Sequence, residues 1–369
     1  MGDLRPETDR SGFCPQYSIK RTDGRPLARH LMDVPTDGVA TLVGIRFRAD
    51  RGNIGEGSGV EKRILILTLF SGENEFESCR RSVNSQTYVN RDQRVFEKLP
   101  NAEAHARLYE TIAAESERYD LFFKLDADMV LADDEVLSDL VGIFEERPQL
   151  DHLVVAVTDW MSDSHVIGAH LFSNRVRWRP HAETLHVDPD PDFPGLKLVV
   201  WSPPRDLILH APDPSPLQAF HVGAHRGLKS SQAYRRLWET QAHNARLQWR
   251  YLEDVWRHFQ RSGDRRLGLA VLAADMAFRK ELPATANEYS DEAVRRAFTG
   301  FSSLEAADIS AQLEARWGTS GARRRTWRRT LGPLKAAAVG LRGLRDATAA
   351  AVKTMFGGSP PAVEIGSRT

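Results

Sequence analysis

Between residues 63 and 157, short apolar runs alternate with longer stretches of helical period. Arg63-Ile64-Leu65-Ile66-Leu67-Thr68-Leu69-Phe70 is apolar at nearly every position. Such a run is buried on both faces, which predicts an interior strand of a parallel sheet. Leu121-Phe122-Phe123-Lys124-Leu125 and Leu153-Val154-Val155-Ala156-Val157 repeat the pattern, and residues 93–97 predict a shorter strand. Between them, residues 76–86 place Phe76, Cys79 and Val83 on one helical face, and residues 102–119 do the same with Leu108, Ile112 and Tyr119. A third helix, capped by Asp133 or Asp134, runs to Arg147 with a stripe of Val136, Leu137, Leu140, Val141 and Phe144. Strand alternating with helix predicts an α/β fold built on a mostly parallel, doubly wound sheet.

The pattern then changes. Residues 158–230 predict short strands, notably at 196–201 and 206–210, among many Pro, Asp and His. Pro212-Asp213-Pro214-Ser215-Pro216 reads as a loop leading into Phe220-His221-Val222-Gly223-Ala224-His225-Arg226-Gly227-Leu228-Lys229. Ser230 or Ser231 then caps a long helix reaching residue 260, with Leu237, Trp249, Leu252, Trp256 and Phe259 on its packing face. Further helices are predicted at 265–280, 291–300 and 303–317. The expected organisation has four parts. These are a poorly defined segment with a Gly-rich linker over 1–61, an α/β domain over 62–230, a helical extension packing on it over 231–317, and a basic amphipathic helix with a tail over 318–369. One strand is expected at 39–47.

Composition narrows the classes. Lys plus Arg number 50 and Asp plus Glu number 50, so net charge points to no partner. The 41% apolar content supports a sizeable core. Cys14 and Cys79 are the only cysteines, which excludes a disulfide framework and fits a reducing compartment. The polar start, Met1-Gly2-Asp3-Leu4-Arg5, lacks a signal-peptide core, and no run has the length to cross a bilayer. The expected location is cytoplasmic, peripheral to a membrane if the C-terminal helix binds one. Arg323-Arg324-Arg325-Thr326-Trp327-Arg328-Arg329 precedes a stripe of Leu334, Ala337, Leu341, Leu344, Thr348, Ala351 and Met355. Residues 323–356 therefore read either as a solvated charged face beside a packed helix or as a membrane-surface helix. No groove-reading motif or aromatic platform points to nucleic acid.

Chemistry concentrates where the 121–125 strand runs out, at Asp126-Ala127-Asp128. Carboxylates at i and i+2 of an extended segment share a side. At the ligand-binding edge of an α/β sheet they can hold a hard divalent cation that also carries phosphate oxygens. Alone, the pair reads equally as a solvated turn. Phe123-Lys124-Leu125-Asp126-Ala127-Asp128 resembles the DxD segment of GT-A-fold glycosyltransferases. Thr68-Leu69-Phe70-Ser71-Gly72-Glu73-Asn74-Glu75, followed by a helix closing on Gln86-Thr87-Tyr88, resembles the opening of the family-2 type. The resemblance spans residues 62–160 and, more loosely, 161–230. It implies a Rossmann-like, nucleotide-sugar-binding GT-A sheet flanked by helices and a nucleotide-diphosphate-sugar donor. It further implies a hydroxyl acceptor, glycan- or lipid-linked, and Mn²⁺ or Mg²⁺. Thr68, Phe70 and Glu73 would line the nucleotide pocket, Asp126 would contact ribose or metal, and Asp128 would hold the metal on the diphosphate. Lys124 falls within the same donor-binding segment. The family's acidic signature after the second strand is replaced here by Arg94-Val95-Phe96-Glu97-Lys98-Leu99-Pro100-Asn101, where Glu97 would stand in.

His221 and His225 are either satisfied loop histidines or, as the resemblance implies for His225 above all, a late metal ligand. Arg226 and Lys229 would then hold phosphate oxygens. Asp159 and Asp163 follow the 153–157 strand, and each reads as a catalytic base or as a turn acid. The function implied is sugar transfer from a nucleotide-diphosphate donor, in a setting such as cell-surface glycan assembly. The alternatives are a sugar-phosphate nucleotidyltransferase and a non-catalytic nucleotide-sugar- or glycan-binding protein.

Overall fold

The computed structural model describes residues 39–41, 61–178, 191–201, 203, 205–231, 238–286 and 288–317. The expected linker at 51–59, the remainder of the 39–47 strand and the basic helix at 323–356 lie outside the described residues. In chain order the α/β part comprises β1 (Val39–Thr41), β2 (Ile64–Phe70), α1 (Phe76–Asn84), β3 (Arg91–Glu97), α2 (Asn101–Ala114), β4 (Leu121–Lys124) and β5 (Met129–Leu131). It continues with α3 (Val136–Glu146), β6 (Leu150–Asp159), β7 (Ser164–Ser173), β8 (Arg177–Trp178), β9 (Pro191–Asp192), β10 (Leu196–Val200) and β11 (Ile208–His210). Helices α4 (Pro216–Ser231), α5 (Trp238–Ser262), α6 (Arg265–Phe278), α7 (Glu292–Phe301) and α8 (Ala306–Trp317) complete it.

The main sheet runs β1-β10-β6-β7-β4-β2-β3, with β11 and β5 added beside β6. Period-two alternation explains its two covered faces. Ile64, Ile66, Leu121, Phe123, Val155 and Leu171 join the cores of α1 and α3 on one side. Leu65, Leu67, Leu69, Phe122 and Phe172 meet α2 on the other. The α/β class is therefore as the alternation predicts. The sheet is mixed, because β7 runs antiparallel between β4 and β6. Its turn from β6 passes through Asp163 at φ +51°. Helix α3 begins slightly later than expected, after Glu135, whose N–H is accepted by Asp133 at 3.0 Å.

Residues 216–231 form a 16-residue helix, where a loop leading to a cap at Ser230 or Ser231 was expected. Its glycines serve packing: a Cβ on Gly223 would stand 1.8 Å from the Ala270 carbonyl oxygen of α6. The two helices lie backbone to backbone, around Ala270, Ala274 and Ala277. Helix α6 is buried along most of its length, and Trp256, Phe259, Ile309 and Leu313 from α5 and α8 close this third core. Among the described residues, no helix is long and apolar enough to cross a membrane.

Candidate active site

The ends of β2 and β4 face a cleft whose far wall comes from α2, α4 and the α6–α7 connection. Leu69, Ser71 and Glu73 line it from the first strand end, and Asp126 and Asp128 from the second. Asn101, Ala104 and His105 contribute from α2, His221 and His225 from α4, and Glu288 and Tyr289 from the connection. His221 and His225 are one helical turn apart, which brings both to the same face.

The Asp126-Ala127-Asp128 turn is tied down on every side. The Ala127 N–H bonds Leu69 O at 3.2 Å, Met129 N–H bonds Asp126 O at 2.9 Å, and Ala211 N–H bonds Asp128 O at 2.8 Å. The Gln86-Thr87-Tyr88 run anchors the adjoining loop. Gln86 Nε2 donates to Asp133 O at 2.5 Å, its Oε1 accepts the Leu137 N–H at 2.8 Å, and Thr87 N–H bonds Asp134 O at 2.8 Å. This motif holds the 133–137 segment, at the start of α3, beside the end of α1 and does not line the cleft.

Behind the turn lies a charged row. His210 reaches Asp128 Oδ2 through Nε2 at 3.4 Å and Asp159 Oδ1 through Nδ1 at 2.5 Å. Burial works against the imidazolium, but the two carboxylates outweigh it and raise His210 well above its ordinary value. Burial likewise opposes ionisation of Asp128 and Asp159, and His210 outweighs it and holds both below the usual carboxylate range. Asp159 also accepts the Ser162 N–H at 2.6 Å and its hydroxyl at 2.5 Å, and it has no exposure. The other Asp128 oxygen, Oδ1, is buried and has no hydrogen-bond partner.

Glu73 is held differently. Its Oε2 accepts the Ser71 N–H at 2.7 Å and the Gly72 N–H at 3.1 Å. The turn that aims these amides needs Gly72 at φ +122°, a region suited to glycine. Burial, followed by the charge of Asp128, pushes the Glu73 carboxyl up to about 7. Glu75 points away from the cleft and is buried, accepting from Gln218 Nε2 at 2.8 Å and from Asp213 N–H at 3.1 Å.

The remaining expected residues stand elsewhere. Thr68 is buried within the sheet and accepts from Gln93 Nε2 at 3.0 Å. Phe70 stacks on Phe76 at 3.9 Å between ring centroids. Glu97 is exposed at the end of β3, and Lys124 is buried with its Nζ 4.0 Å from Asp126 Oδ1. Asp163 is 63% exposed and paired with Arg261 at 2.7 Å. Arg226 lies over the Tyr251 ring at 4.3 Å and donates to Gln248, so it faces α5. Lys229 lies in the last turn of α4 and is not among the cleft-lining residues.

His210, His105, Glu288 and Tyr289 escaped the sequence reading. His210 ends a short strand that was expected, directly before Ala211-Pro212, and its terminal position was the available signal. Tyr289, stacked on His221 at 4.0 Å, and Glu288 come from an irregular connection that carries no pattern.

Asp126 and Asp128 are hard oxygen donors of the kind that suits Mn²⁺ or Mg²⁺. Among the described residues no group of three or more His, Cys, Asp and Glu forms a ready-made metal cage. The residues fit an ion that takes much of its coordination from water or a bound ligand, which is the habit of Mg²⁺-like sites.

No known protein family and no curated protein sequence matches this chain. Among solved structures, the mannosyltransferase PcManGT from Pyrobaculum calidifontis, in complex with GDP-Man and Mn²⁺, is similar with a TM-score of 0.30 and 13% identity. The similarity covers 79% of this chain and 91% of that one.

Proposed function

We propose that the chain is a metal-dependent glycosyltransferase that moves a sugar from a nucleotide-diphosphate donor to a hydroxyl acceptor, using a GT-A-like sheet. The observation that carries this reading is the buried, unpartnered Oδ1 of Asp128 in a cleft shared with Asp126, Glu73, His221 and His225. A buried carboxylate oxygen without a partner is costly unless a ligand completes it. The cleft lining supports a cation in a second way. Among the described residues that line it are four carboxylates, Glu73, Asp126, Asp128 and Glu288, and no lysine or arginine. A diphosphate entering that field needs a positive charge between it and the protein.

When bound, a divalent ion would neutralise the charge that develops on the departing diphosphate. The chain's own part is placement. His210 fixes one edge of Asp128 and leaves Oδ1 for the ion, while the amides tying residues 125–129 keep both carboxylates at the strand end. A nucleotidyltransferase fits less well. Its phosphate loop would offer free N–H groups after β2, and here Glu73 already takes those of Ser71 and Gly72.

A thermal-shift panel of UDP- and GDP-sugars with and without Mn²⁺ tests the reading, since a ligand bound to the folded state raises Tm. At least one donor should raise Tm only with Mn²⁺. Asp128→Asn should lose that response and reduce donor turnover by about a hundredfold or more. A shift that needs no metal, or an Asp128→Asn variant as active as the parent, would sink the metal-dependent assignment.

A further inference from the structure

Any transfer to a hydroxyl, or to water, needs a group that takes up the acceptor's proton. Resting on the transfer reading above, we infer that Glu73 is this general base. The two acids expected in that role are occupied elsewhere. Asp159 has no exposure and is bonded to Ser162 and His210, and Asp163 is tied to Arg261 outside the cleft. Asp126 and Asp128 are committed to the cation. That leaves Glu73 and Glu288 among the cleft-lining acids, and Glu288 Oε1 is engaged by the Asn101 N–H at 2.9 Å in joining the α6–α7 connection to α2.

Glu73 has the geometry the role requires. Both amide contacts fall on Oε2, so the carboxylate is locked in orientation while Oε1 keeps its lone pairs. It stands on the end of β2, one strand away from the turn that carries Asp126 and Asp128. Burial, the larger cause of its raised carboxyl, makes it a stronger base than an ordinary glutamate.

The step balances without further reagents. The acceptor O–H proton passes to Glu73 Oε1, and the oxygen's electron pair forms the bond to the anomeric carbon. The bond from that carbon to the diphosphate oxygen breaks, and its pair departs on the nucleoside diphosphate. Attack from the face opposite the leaving group inverts the anomeric centre.

The test uses the full chain with Mn²⁺ and the nucleotide-sugar giving the largest metal-dependent thermal shift, with water as the acceptor and nucleoside diphosphate release as the readout. Glu73→Gln keeps an oxygen for the two amides, so it should fold with its Tm preserved. It should lower kcat by about 10²–10⁴-fold while the donor's Kd stays within about twofold. Glu73→Asp, which restores a carboxylate, should recover part of the kcat and supplies the same comparison if the glutamine variant melts early. The wild-type product, caught by NMR before mutarotation, should carry the inverted configuration. An unchanged kcat in Glu73→Gln, a rise in donor Kd matching the loss of rate, or a retained anomer would each overturn the assignment. A wild-type chain that binds no donor with Mn²⁺ would overturn the transfer reading itself and this inference with it.

Discussion

His210 sits between two carboxylates, with 12% of its side chain exposed against 14% for Asp128 and none for Asp159. The row makes stability depend on pH in a definite sense. The depressed values of Asp128 and Asp159 contribute stability above the ordinary aspartate value of about 3.8, lost as pH falls through their folded values. The raised value of His210 contributes stability fully present below about 6.5, lost as pH rises through its folded value well above that. The row therefore stabilises most between about pH 4 and 6.5. His210→Gln leaves buried carboxylates without their cation and should cost about 3–5 kcal/mol at pH 6. Urea unfolding at pH 6 and at alkaline pH should show the gap from wild type narrowing as His210 deprotonates. A constant gap would mean that His210 is not charged in the folded state. At this scale the acids announced themselves and their partners did not. Asp126 and Asp128 stood out because they end an apolar strand, and Glu73 through the family resemblance of the turn after another. His210, Glu288 and Tyr289 acquire meaning only when β11 and the α6–α7 connection fold back onto those strand ends, which no local pattern encodes.

The misread element, α4, shows why composition misleads. Two prolines precede it, a third opens it and two glycines interrupt it, and both residue types are loop signals. The glycines are there because α6 approaches so closely that a Cβ at Gly223 would meet Ala270 O at 1.8 Å and one at Gly227 would meet Ala277 Cβ at 2.7 Å. Gly223→Ala should therefore force α4 away from α6 and destabilise by about 1–3 kcal/mol or more. It should also displace His221 and His225 and weaken the Mn²⁺-dependent thermal shift. Gly300 in α7 is the contrasting case, with nothing within 4 Å of a built Cβ. Gly300→Ala should stabilise by about 0.4–1 kcal/mol through the unfolded chain. Equal Tm changes in the two variants would show that helix propensity alone, and not the α4–α6 approach, governs both positions. Strand β7 escaped for a related reason. Its ten residues include two histidines and Gly168, and the apolar alternation is broken at the irregularity opposite Val155 and Ala156. Strands β2, β4 and β6 were readable because burial on both faces leaves continuous apolar runs.

The α/β part and the helical part meet at the cleft, and Gln218 is a principal tie between them. It is 1% exposed. Its Oε1 accepts the Asn74 N–H at 2.9 Å and its Nε2 donates to Glu75 at 2.8 Å, so one α4 side chain grips the turn that also carries Glu73. Burial pushes the Glu75 carboxyl up, with the Gln218 bond opposing that rise. Gln218→Leu would fill the same space and leave the Asn74 amide and one Glu75 oxygen unsatisfied, at about 1–3 kcal/mol for each group. The lost bonds are a buried part of the seam between the sheet and the helices, alongside the apolar contact of Met161 and Ala211 with the helical core, so the variant should unfold in stages. Of the eight tryptophans, Trp160, Trp249 and Trp256 pack in the helical core, so tryptophan fluorescence carries a contribution from that core. That signal should change at lower urea than far-UV circular dichroism, whereas in the wild type the two should coincide. The Mn²⁺-dependent donor shift should fall as well, since Ser71 and Glu73 lie on the loosened turn. Coincident transitions at an unaltered midpoint would show that the helices and the sheet are held together mainly by apolar contact around Met161 and Tyr251, and that the polar tie at Gln218 adds little.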